Sequence, residues 1–115
     1  MAQRSRRLWD AVQLTASVVT YYTATSVRAK NLWITATNPN AVAYLVTIYL
    51  IKTGGSASDS MNVVTYQRTI LPGQTVIFYE CCGHVLENGD FIQAKCDTAS
   101  KIVFMGSGDE VSIGS

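Results

Sequence analysis

Three turn signatures punctuate this chain: Asn38-Pro39-Asn40, Pro72-Gly73 and Asn88-Gly89. Proline presets φ, asparagine tolerates the left-handed region, and glycine supplies φ > 0 without steric cost. Between them lie short runs rich in Val, Ile, Thr and Tyr, residues that fit a pleated sheet better than a helix. Short strands separated by regularly spaced turns are the pattern of an antiparallel sandwich or barrel. The runs predict strands at residues 18–22, 27–37, 41–52, 61–70, 75–81, 91–96 and 101–105, with a short final one at 110–113. Asn88-Gly89 reads as a hairpin, Gly106-Ser107-Gly108 as a bend, and Thr53 to Ser60 as an exposed Gly/Ser loop. The expected class is an all-β, antiparallel, jelly-roll-like sandwich of seven or eight strands, with helix confined at most to the first 15 residues.

Size and composition fit that class. A chain of 115 residues supports one core. With 48% hydrophobic and 15% charged residues it is not a disordered sequence. An ordinary soluble domain carries about 25% charged residues, so this chain suits strands whose outer faces meet other protein. The longest apolar run, Ala41 to Ile51, falls short of the roughly 20 residues of a membrane helix. It alternates apolar residues on both faces, which predicts burial on both sides, within the fold or under a neighbour.

Residues 1–15 read as an arm without an obvious strand partner, preceding a sandwich domain at 16–115. The arm lacks the apolar segment of a cleavable signal peptide. It combines Arg4, Arg6 and Arg7 with the apolar pair Leu8-Trp9. Residues 1–30 hold five basic side chains against Asp10, whereas residues 80–115 hold six carboxylates against Lys95 and Lys101. That asymmetry predicts contact between the arm of one copy and the body of another, Trp9 filling a pocket and the arginines meeting Glu87, Asp90, Asp109 or Glu110. Three arginines do not make the basic face with interleaved aromatics that nucleic acid requires, so neither nucleic acid nor membrane is an expected partner.

No catalytic constellation emerges. His84 and Cys82 stand two residues apart with no orienting third group. Glu87 and Asp90 bracket a turn, and the glycine pairs lack the lysine of a phosphate loop. No metal site, cofactor or enzymatic activity is expected. Cys81, Cys82 and Cys96 read as reduced cysteines or as a possible disulfide, Cys82 with Cys96 or between chains. Trp33, Tyr44, Tyr49, Tyr66 and Tyr79 could form a carbohydrate-binding platform; the alternative is that they fill the core and the subunit seams.

The order of motifs resembles that of small virion proteins of tailed bacteriophages. The residues that carry the resemblance are Tyr22-Thr23, the apolar strand Ala41 to Ile51, the turn Leu71-Pro72-Gly73-Gln74-Thr75, the segment Val85 to Ile92, and Ser107-Gly108-Asp109-Glu110-Val111. The likeness spans residues 14–113. It implies a non-enzymatic head-decoration, neck or tail-accessory subunit. Such a subunit would be located in the virion after assembly in the host cytoplasm, oligomeric and bound to other virion proteins. The Cys81-Cys82 pair and the arginine-rich arm depart from the pattern. A carbohydrate- or receptor-binding module is the alternative.

Overall fold

The computed structural model describes residues 3–113. Among these, eight strands form two four-stranded antiparallel sheets: β1 (Gln3–Gln13), β2 (Val19–Thr23), β3 (Val27–Thr37), β4 (Tyr44–Ile51), β5 (Val63–Ile70), β6 (Thr75–Ile77), β7 (Phe91–Cys96) and β8 (Val103–Ser112). The first sheet runs β1-β8-β3-β6 and the second β2-β7-β4-β5. Every neighbouring pair is antiparallel. Successive strands alternate between the two packed sheets except for the β4–β5 pair, which is the strand order of a jelly roll. β3 and β7 occupy the ranges their sequences predict.

Residues 3–13 are not an arm that lies apart from the sandwich. They form an edge strand on β8, from Gln3 opposite Val111 to Gln13 opposite Val103. The alternation is hidden in sequence because register shifts flank Trp9. Leu8 and Trp9, adjacent in the chain, are both buried in the core. One extra residue in a bulged strand places two neighbours on one face. Trp9 fills a pocket in its own chain, 5.3 Å from the Phe104 ring and 6.1 Å from Tyr21.

That packing explains Gly106-Ser107-Gly108, which continues straight through β8 rather than bending. A Cβ at Gly106 would collide with the Trp9 ring. One at Gly108 would crowd Leu8 and Leu32 at 3.2–3.3 Å. The glycines give the core side chains room; the turn chemistry they suggest is not used.

The inter-sheet core includes Val46, Ile48, Val76, Phe78, Leu86, Ile92, Ile102 and Phe104. Leu50 packs against it partly buried. Val103 faces outward, because the β8 alternation turns Phe104 inward. The 75–81 strand stops at Ile77, where the chain enters a helical turn, α1 (Tyr79–Cys82), the only helix among the described residues. Residues 3–15 hold none. Local bonds from Cys81 N to Phe78 O (3.0 Å) and from His84 N to Cys81 O (3.2 Å) take the place of a ladder partner.

Two turns behave differently from each other. Gly73 has φ +73°, as Pro72-Gly73 requires. Gly89 has φ +92°, and Asp90 N donates to Glu87 O at 3.0 Å, so Asn88-Gly89 is a tight turn. It is not a hairpin. Leu86 on one side bridges Ala29 of the first sheet, while β7 on the other belongs to the second, so the turn carries the chain between sheets.

Candidate functional site

The outer face of the first sheet holds a surface depression shaped by an irregularity in β3. In β3 the buried positions pass from Ala29 to Leu32, so Lys30 and Asn31 both lie on the outer side. The β3–β8 register shifts at the same place. Asn31 takes φ +53°, a conformation that asparagine adopts more readily than other non-glycine residues. Its Nδ2 donates to Asp109 Oδ2 at 2.7 Å, and Ser5 Oγ donates to Asp109 Oδ1 at 2.5 Å. Gln3 Nε2 adds a longer bond at 3.4 Å. The Ser5 and Asn31 hydrogen bonds, with Lys30 nearby, hold the Asp109 carboxyl below its ordinary range against a small desolvation cost. A polar row thus crosses β1, β8 and β3.

One step along the strands, Ser107 stands opposite Trp33. Trp33 is 49% exposed and Tyr79 65% exposed, and their rings meet edge to face at 6.0 Å. Met105 extends the apolar strip. Between the two rows lies an open depression of about 570 Å³, with Ser107 and Gly108 on its lining beside Ser5, Arg6, Asn31, Trp33 and Asp109.

Apart from Arg4, the residues expected at a subunit interface are engaged within the chain. Arg6 Nη1 lies 3.2 Å from Glu110 Oε1, and Tyr22 OH from the second sheet donates to Glu110 Oε2 at 2.5 Å. Burial, reinforced by the Glu110 hydrogen bond, raises the Tyr22 hydroxyl well above its ordinary range. This trio ties the two sheets at one end of the sandwich. Arg7 pairs with Asp10 at 2.8 Å, and Arg28 with Glu87 at 2.9 Å. Asp90 accepts from the backbone N–H groups of Thr53 and Glu87, both at 3.0 Å. Arg4 is exposed on β1. Leu8 and Trp9 are spent on the core, so the expected pocket for Trp9 on a neighbour is instead met in cis.

All three cysteines are free; Cys81 and Cys96 are buried and Cys82 is half-buried. Desolvation pushes the Cys81 thiol up to about 12, with Glu80 adding to the shift. The Cys82 sulfur lies 3.9 Å from the Phe78 carbonyl oxygen, which it approaches as a weak donor. Among the described residues, no group of three or more His, Cys, Asp and Glu side chains is placed to hold a metal.

The sequence singled out Trp33 and Asp109 but not the bulge that brings them to one depression. An asparagine in the middle of a strand, where it is normally depleted, was the available signal.

No protein-family model and no curated protein matches the sequence. Among solved structures, the fold is similar to that of a chain described under "Bacillus endospore appendages form a novel family of disulfide-linked pili". That match has a TM-score of 0.58 and 9% identity, and covers 98% of this chain and 88% of that one. It is also similar to a chain described under "Structure of infectious bursal disease virus Gx strain", with a TM-score of 0.54 and 13% identity over 99% of this chain. This chain spans only 34% of that one. At such identities the likeness is one of architecture: this chain is an antiparallel β-sandwich.

Proposed function

We propose that this chain is a non-enzymatic structural subunit of a tailed bacteriophage virion, bound to further copies of itself and to other virion proteins of the capsid, neck or tail. The observation that carries the reading is the jelly roll itself. Its match to the pilus-type chain runs nearly end to end in both proteins, and the sequence that builds it follows the motif order of small virion proteins. On this reading the protein assembles in the host cytoplasm and resides in the particle. Contact between copies uses the open side of β1, where Arg4, Arg6 and Arg7 lie along an edge strand, and the acidic groups Glu87 and Asp90; Asp109 and Glu110, expected there from the sequence, are held within the chain. Arginines on an unpaired edge also discourage indiscriminate strand addition, which leaves a charge-matched partner as the one admitted. Cys82, half-buried where Cys81 and Cys96 are buried, is the thiol that would link copies in an oxidising medium.

The test is sedimentation of the purified protein together with electron microscopy of particles made with and without it. A ring, lattice or particle-bound copy is the expected result. A protein that stays monomeric and leaves particles complete when deleted overturns the proposal. On non-reducing gels of released particles, any dimer should vanish in Cys82→Ser.

A further inference from the structure

We propose that the depression between Trp33 and Asp109 binds a neutral pyranoside, its aliphatic ring face stacked on the Trp33 indole and its hydroxyls donating to the Asp109 carboxylate. This goes beyond the assembly role and does not depend on it.

Two halves of one ligand are asked for by the two rows of the site. The indole of Trp33, braced by Tyr79 at 6.0 Å, offers a large apolar plane to solvent. Such a ring gains most from a partner that is apolar on the contacting side and wet on the other. Asp109 lines the same depression. An ionised carboxylate has about four acceptor positions. Ser5 and Asn31 take one each at short range and orient the group, and Gln3 reaches it only at 3.4 Å, so acceptor capacity remains toward the depression. Exposed Ser107 adds a hydroxyl that donates or accepts. Asn31 reaches Asp109 from a left-handed backbone conformation, and unusual backbone placed beside a surface depression is a pointer to use.

Other occupants satisfy only half of this arrangement. A flat protein face laid on Trp33 would strip water from Asp109, at a cost unless it brought its own donors. An anionic ligand meets the Asp109 charge, and Arg6, the cation on the lining, is already paired with Glu110 at 3.2 Å. A quaternary ammonium would suit Trp33 and the carboxylate, but it offers no donors, and recognition of that group relies on several ring faces converging into a cage. Here the two rings stand at 78° with one edge on the other. A pyranose carries C–H groups on one face and hydroxyl donors around its rim. The depression, about 570 Å³ in volume, is within the usual size of small-molecule sites. Its openness to solvent points to a dissociation constant on the order of 1 mM for a single site, which repeated copies in an assembly would raise to useful avidity.

The two tryptophans make the test internally controlled. With indole-labelled protein, Trp33 and Trp9 give one signal each, and Trp9 lies buried on the opposite face of the same sheet. Neutral tetrasaccharides of glucose, galactose and mannose, together with triacetylchitotriose, are titrated at millimolar concentration. Tetragalacturonate and tetramethylammonium serve as comparison probes. At least one neutral glycan should show saturation transfer from the protein and move the Trp33 signal while Trp9 stays fixed. Trp33→Ala should abolish the transfer, and Asp109→Asn should weaken binding about tenfold, the scale of a lost hydrogen bond to a charged acceptor. The unshifted Trp9 signal shows that each variant is folded. Absence of transfer to every neutral glycan overturns the proposal, as does binding that survives Trp33→Ala or a preference for tetramethylammonium or tetragalacturonate. A Trp33→Ala variant that turns an oligomer into a monomer assigns the face to a second copy and equally overturns it.

Discussion

The outer faces of the two sheets treat their apolar residues in opposite ways. On the second sheet, Tyr49 and Ile51 of β4 point away from the core yet are buried. The segment after β4 folds back over them: Tyr49 OH donates to Asp59 Oδ1 at 2.5 Å, and Gly55 sits where even a Cβ would come within 3.1 Å of Ile51. Thr47 is covered in turn by Gln67, whose N–H donates to its hydroxyl at 3.1 Å. On the first sheet, Trp33, Tyr79 and Met105 have no such cover. An apolar outer face is therefore not by itself a sign of a partner. The expectation that β4 is buried on both sides holds, and the cover comes from within the chain. What distinguishes the first sheet is that no segment among the described residues folds back over it as 53–62 does over the second.

The comparison can be broken most forcefully from inside. Trp9→Ala removes the largest inner-face side chain of the first sheet and should cost about 3–5 kcal/mol in denaturant unfolding. A surface-like cost would mean that β1 is not docked on the core. Ile51→Ala probes the covered outer face and should cost about 2–5 kcal/mol; if it proves nearly neutral, residues 53–62 are an open loop and the two faces are alike. Gly106→Ala forces a methyl against Trp9 and should cost about 1–3 kcal/mol, with partial recovery when combined with a smaller residue at position 9. The smallest effect belongs to Trp33→Ala, where unfolding should stay within about 0.5 kcal/mol of the parent. A loss as large as that at Trp9 would reveal a structural role for the exposed ring.

Much of this was legible in the residues. The ranges of β3 and β7 and the Pro72-Gly73 turn follow from alternation and turn chemistry, which are local. What escaped depends on distant neighbours. β1 pairs with a strand some 100 positions away, and the bulge beside Trp9 erases the alternation that would have marked it. The glycines of β8 look like turn residues until Trp9 is seen lying over Gly106. Asn88-Gly89 specifies a tight turn but says nothing of which sheets its flanks join. At the candidate site, the aromatic and acidic residues stood out by type. Their convergence did not, because it rests on the left-handed backbone at Asn31 and on a Ser5–Asp109 bond across two strands.

In each sheet, a late strand lies between two early ones: β8 between β1 and β3, and β7 between β2 and β4. During synthesis, neither sheet can close until the last third of the chain has emerged, and until then β1 through β4 present unpaired edges. Folding must therefore pay for closing long loops before their contacts stabilise anything, the circumstance under which sandwiches fold in milliseconds to seconds rather than microseconds. Stopped-flow refolding should show that slow regime. A nascent chain halted before β8 should be caught by chaperones rather than hold a partial sandwich.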